Sequence, residues 1–137
     1  MARALKIYVN NWIFGNASLA DVIARVSSIG FDGIELVGEP AVYNGPEVKQ
    51  LVEGHGLEVI SICGMHPGPE PGDLRLLSHP DAGEREKGID YVKACVDLAV
   101  ETGARSVLVV PSLVGQPEVL TSKEEDIQRA IESLQKA

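Results

Sequence analysis

The chain has 137 residues, 45% hydrophobic and 23% charged, a composition that supports one folded core and excludes a disordered segment. Its formal net charge of −8, with no Lys/Arg cluster to offset it, repels phosphate backbones and argues against nucleic acid as a partner. The apolar runs fall short of the roughly 18 residues of a membrane span, and no signal-peptide core with a cleavage site opens the chain, so a cytoplasmic protein without a membrane partner is expected. Cys63 and Cys95 form neither a CxxC nor a zinc-spaced Cys/His cluster and are read as buried thiols.

The first strand is expected over Leu5–Asn10, where Leu5, Ile7 and Val9 alternate with Lys6, Tyr8 and Asn10. Ser18 to Asp21 is a variant capping box; it opens a helix with Leu19, Val22, Ile23 and Val26 on one face and Gly30 as its stop. Gly33–Val37 is the second strand. Asn44, Gly45 and Pro46 then start a helix whose Val48, Leu51 and Val52 share a face, ended by Gly54 and Gly56. Leu57–Cys63 is the third strand. After a long loop, a helix beginning near Gly83 carries Ile89, Val92, Val96 and Ala99 as a stripe and stops at Gly103. Ser106–Val110 is the fourth strand, and Ser122 with Glu125 forms a capping box before Ile127, Ile131 and Leu134.

Strands alternating with helices predict an α/β fold with a parallel sheet and right-handed crossovers. The first turn, "NNWIFGNAS", has neither a G-x-G-x-x-G nor a Walker spacing, so nothing marks a phosphate-binding open sheet. What remains is a (β/α)4 arrangement, half of a TIM barrel, as one domain over residues 1–137.

Side-chain parity sorts the strands. Aliphatic residues face the helices, which places Leu5, Ile7, Val9, Ile34, Leu36, Ile60 and Ile62 outward and Lys6, Tyr8, Asn10, Glu35, Ser61 and Cys63 inward. Glu35 stands out as an acid within an apolar strand. An unpaired buried carboxylate costs several kcal/mol, so pairing with Lys6 or Tyr8 is one reading and contact with substrate or metal is the other.

The segments "GFDGIEL", "GLEVISICG" and "LLSHPDAGEREKGIDYVKACVDLAVETGARSVLVVPS" resemble the xylose isomerase-like TIM barrels, which include sugar phosphate isomerases and epimerases. The resemblance covers nearly the whole chain but only the first four of eight β/α units. It implies a divalent metal (Mn, Mg, Co or Zn) held by Glu, Asp and His side chains at the C-terminal mouth. It also implies carboxylates that move a proton beside the substrate carbonyl while the metal polarises an enediolate. Those ligands lie mainly on the last four strands, so no tight metal binding is expected here. A full barrel takes about 250 residues, and the last helix lacks the glycine stop of the earlier ones. The chain therefore reads as the N-terminal half of such an enzyme, inactive alone, whether truncated, proteolysed, designed or natural.

Function in such folds sits in the loops after the strands. The first loop offers Asn10, Asn11, Trp12 and Phe14, aromatics beside amides that suit a sugar or cover the mouth. The second offers Glu39 and Tyr43. The third offers His66, placed as a metal ligand is in family members with phosphodiester chemistry, and Arg75 and His79 for a phosphate or carboxylate. The fourth offers Ser112 and Gln116, while His55 falls on the opposite side of the fold. Asn10, Trp12, Glu35, Glu39, His66, Arg75 and Ser112 are the substrate-binding candidates, and His66 is the metal candidate. Two competing readings are a non-catalytic, self-assembling half-barrel, whose two copies pair open strand edges into a homodimer, and an abasic-site endonuclease, which the acidic charge disfavours.

Overall fold

The computed structural model describes residues 5–111 and 120–137. Four strands, β1 (Tyr8–Asn10), β2 (Gly33–Gly38), β3 (Glu58–Gly64) and β4 (Ser106–Leu108), form one sheet in the order β1-β2-β3-β4. β1 pairs parallel to β2 with Asn10 opposite Glu35, and β3 pairs parallel to β4 with Ser61 opposite Ser106. Helices α1 (Leu19–Ile29), α2 (Gly45–Gly54), α3 (Ala82–Thr102) and α4 (Lys123–Leu134) alternate with them. This is the (β/α)4 order of half a TIM barrel. The chain divides into two compact units, Met1–Cys63 with Cys95–Leu108, and Gly64–Ala94 with Val109–Ala137.

Local chemistry sets the helix ends. Ser18 accepts the Asp21 N–H at 3.1 Å and donates to the Asp21 carboxylate, while Gly30 closes α1 in the left-handed region at φ 94°. Asn44 accepts the Glu47 N–H at 3.1 Å with Pro46 in the first turn of α2. Ser122 accepts the Glu125 N–H at 3.2 Å. Asp81 starts α3 by accepting the Glu84 N–H at 3.0 Å, and that bond holds its carboxyl below the usual range.

In the first unit the core is Val22, Ile23 and Val26 of α1, Ile34 and Leu36 of β2, Val48 and Val52 of α2, and Val59 and Ile62 of β3, all buried. In the second unit Leu77 packs with Ile89 and Val92 of α3. Further along α3, Cys95, Leu98 and Ala99 are buried and Val96 is exposed, so the expected stripe through Val96 is replaced by one through Cys95 and Leu98. Cys63 and Cys95 are both free and buried.

Three other expectations change. β1 begins at Tyr8 rather than Leu5; Leu5 and Ile7 are exposed, and the Ile7 N–H bonds the Asp32 carboxylate at 2.7 Å rather than a ladder carbonyl. β4 ends at Leu108 rather than Val110. On α4 the apolar stripe Ile127, Ile131 and Leu134 is exposed, and the buried residue is Ser133, whose Oγ donates to the Leu77 carbonyl at 2.8 Å.

Candidate functional site

The C-terminal end of β1 and the middles of β2 and β3 bring Asn10, Glu35 and Ser61 together. Parity puts the three on one face of the sheet, and the register sets Asn10 level with Glu35. Asn10 Nδ2 donates to Glu35 Oε2 at 2.8 Å, and Ser61 Oγ donates to Glu35 Oε1 at 2.7 Å. Both carboxylate oxygens are thus engaged by neutral donors, each such bond to a charged acceptor contributing about 1.5–3 kcal/mol. Lys6 and Tyr8, the partners considered for Glu35, bond Glu58 at the other end of the strands instead. Arg105 joins them at 3.1 Å. Bonds from Lys6 and then Tyr8 pull the Glu58 carboxyl down to about 2, and the same carboxylate pushes the Tyr8 hydroxyl up.

The 3-10 turn Asn11–Phe14 follows β1 directly. Asn10 Oδ1 accepts the Trp12 N–H at 3.0 Å and caps the turn. Asn11 is buried; its Oδ1 accepts the Val37 N–H at 2.8 Å and its Nδ2 donates to the Tyr43 hydroxyl at 3.1 Å, so the first and second loops are tied through one amide. Trp12 remains 59% exposed. The Glu39 backbone builds the turn after β2, its carbonyl accepting the N–H groups of Val42 and Tyr43. The Cys63 thiol is pushed up by burial and by the Glu35 carboxylate, which keeps it a protonated packing group rather than a nucleophile.

A second polar group lies in the other unit. Tyr91 of α3 accepts the Met65 N–H at 2.8 Å and carries the Arg75 guanidinium over its ring, 4.0 Å from the centroid. Arg75 also pairs with Asp73 at 2.9 Å, is buried, and has a left-handed backbone at φ 51°. Gly68 permits this arrangement, since a Cβ there would fall 1.8 Å from Asp73 Oδ2. Both ring nitrogens of His66 are buried and make no hydrogen bond of good geometry, and burial pushes its pKa down, so the imidazole is neutral near pH 7. His79 accepts the Asp81 N–H at 3.1 Å, and His55 is exposed at the end of α2. Ser112 and Gln116 lie outside the described residues.

A divalent metal needs three or four converging donors. Among the described residues no group of three His, Cys, Asp or Glu side chains converges, and Glu35 has both oxygens committed to Asn10 and Ser61. A neutral His66 has a ligand's protonation state but no companion donors in such a group. The described residues therefore do not fit a metal centre by themselves.

Sequence parity selected Asn10, Glu35 and Ser61, but Asn11 as a tie between loops and Tyr91 as the seat of Arg75 had no signal, because both depend on contacts distant in sequence.

The chain is similar to known proteins in the same terms. It is 28% identical over 111 residues to 3-dehydro-D-guloside 4-epimerase of Escherichia coli strain K12, a match covering 81% of this chain and 39% of that protein. The crystal structure of 3-keto-D-glucoside 4-epimerase from E. coli superposes with a TM-score of 0.73 at 22% identity, covering 96% of this chain and 50% of the other. D-psicose 3-epimerase from Clostridium cellulolyticum H10, solved with D-tagatose, gives 0.72 at 19% identity, covering 95% and 46%. The chain spans half or less of the length of these relatives. The family model for the xylose isomerase-like TIM barrel matches residues 23–137, and with four β/α units in barrel order the chain belongs to that family.

Proposed function

We propose that this chain is the N-terminal half of a metal-dependent sugar or sugar phosphate isomerase/epimerase, one (β/α)4 domain over residues 1–137 that works in the cytoplasm and is inactive alone. The observation that carries the reading is exposed Trp12 beside Asn10 at the C-terminal end of β1, with Glu35 and Ser61 bonded in a polar cluster behind them, since enzymes of this architecture bind substrate at the C-terminal strand ends. Trp12 supplies an apolar face for a sugar ring, with Asn10 and Glu39 as polar groups of the same unit. The described residues offer no donor set for Mn, Mg, Co or Zn, so the metal of the complete barrel is held by side chains outside them.

Incubation with a ketohexose and Mn²⁺ in D₂O, followed by NMR, tests inactivity: no deuterium enters the sugar above the protein-free control. Incorporation that depends on the chain overturns it. Calorimetry with the same metal gives no stoichiometric micromolar site if the donors lie elsewhere, and such a site refutes that assignment.

A second reading, self-assembly into a homo-oligomer, is favoured by exposed Leu5 and Ile7 beside β1 and by the exposed stripe of α4. Light scattering gives a mass near twice 14.6 kDa if two copies associate, and a monomer ends this reading.

A further inference from the structure

We infer that Glu35 is a positioning residue that sets the Trp12 platform through Asn10, rather than a group that meets substrate or metal. The inference rests on the reading of Trp12 as the sugar-facing aromatic. An ionised carboxylate has acceptors only, so the Asn10 amide must turn its nitrogen toward Glu35 Oε2, as it does at 2.8 Å. The amide is planar, and its oxygen is thereby aimed the other way, onto the Trp12 N–H at 3.0 Å. Rotating the amide by half a turn sets oxygen against carboxylate and NH₂ against the Trp12 N–H, losing both bonds at once.

Glu35 is itself fixed. Ser61 Oγ donates to its second oxygen at 2.7 Å, so the carboxylate is braced from β3 while it orients β1. The turn is held from its other side by Asn11, which grips the Val37 N–H, two residues along β2 from Glu35, and the Tyr43 hydroxyl. One acid within an apolar strand thus determines where the backbone of an exposed indole sits.

The chain contains one tryptophan, so fluorescence excited at the red edge of the near-UV, beyond tyrosine absorption, reads Trp12 alone. Glu35→Leu removes the acceptor at similar size. Glu35→Gln keeps it: Oε1 accepts from Asn10, and Nε2 donates to Ser61 Oγ, a hydroxyl that also accepts. In ligand-free protein, Glu35→Leu lowers Trp12 anisotropy and raises acrylamide quenching, while Glu35→Gln stays at wild-type values. A merely structural Glu35 lowers the melting temperature in both variants without changing native-state fluorescence, which overturns the inference. A Gln variant as altered as the Leu variant also overturns it, because the charge and not the acceptor then matters. Asn10→Ala breaks the same link without touching Glu35 and carries the test if the Leu variant fails to fold; it reproduces the anisotropy loss, and wild-type anisotropy there refutes the link. Titration of wild type with D-tagatose is separate: an unresponsive indole removes the sugar platform and leaves the ligand-free comparison intact.

Discussion

Replacing Gly33 by alanine tests how tightly β2 and β3 are built together. A Cβ at Gly33 would lie 2.0 Å from the Glu58 carbonyl oxygen, 2.9 Å from its carbon and 3.0 Å from its nitrogen, where ordinary contact begins at 3.4 Å. The obstacle is backbone and cannot swing aside, so the two strands must part by more than about an ångström at this level. Overpacking of this kind costs typically about 1–3 kcal/mol. The adjacent bond from the Glu58 N–H to the Asp32 carbonyl, 3.2 Å long, is strained with it, at about 1 kcal/mol. A loss of roughly 3 kcal/mol follows, and at about 4 °C per kcal/mol the melting temperature falls by about 12 °C. Gly54→Ala is the control: Gly54 ends α2 and a Cβ there meets nothing within 4 Å, so alanine stabilises by up to about 1 kcal/mol. Thermal and urea unfolding followed by far-UV circular dichroism measures both. A Gly33→Ala protein within about 0.5 kcal/mol of wild type, the range of unremarkable surface changes, refutes the close approach.

Glu58 predicts an acid-sensitive part of the stability. Its carboxyl is lowered from 4.5 to about 2, so its contribution is fully present above pH 4.5 and is lost as pH falls toward 2. Because Lys6, Arg105 and Glu58 are all partly open to solvent, the contribution is about 1 kcal/mol, and Glu58→Gln loses that much at pH 7. Urea midpoints of the two proteins converge near pH 2, and a difference that persists there contradicts the assignment. In the other unit, Ser133→Ala removes the bond to the buried Leu77 carbonyl and destabilises by about 1–3 kcal/mol, read from the same unfolding curves, while an unchanged midpoint shows that bond to be dispensable.

The helix ends were legible in the sequence because capping is local: Ser18, Asn44 and Ser122 each accept from the residue three positions on, and Gly30 supplies the left-handed stop. Periodicity named the core of α1 and α2 for the same reason. It failed on α3, where Val96 and Cys95 differ by one position and only the tertiary neighbours decide which is buried. It failed on α4 in another way. The stripe Ile127, Ile131 and Leu134 is amphipathic, but amphipathicity states that a face seeks cover and not that the described chain supplies it. Arg75 shows the converse limit: Asp73 stands two positions away, but nothing near it in sequence announces that the Tyr91 ring will cover its guanidinium.

Glu35 shows what parity can and cannot give. Alternation places Asn10, Glu35 and Ser61 on one face, but it does not say at what height along the strands each stands. The parallel register does, pairing Asn10 with Glu35 and Tyr8 with Gly33. At about 3.3 Å per residue, Lys6 is then about 13 Å below the level of Asn10, too far down to serve Glu35 as a counter-ion. At Tyr8's own level the facing residue is Gly33, which has no side chain, so the tyrosine reaches past it to Glu58. The cations therefore gather around Glu58 at the N-terminal strand ends, where an ion cluster serves stability. Glu35, level with the C-terminal end of β1, is left with neutral donors, and a carboxylate held by an amide and a hydroxyl can direct those groups as a paired ion could not. The same register that denies Glu35 a counter-ion is what gives it Asn10 to orient.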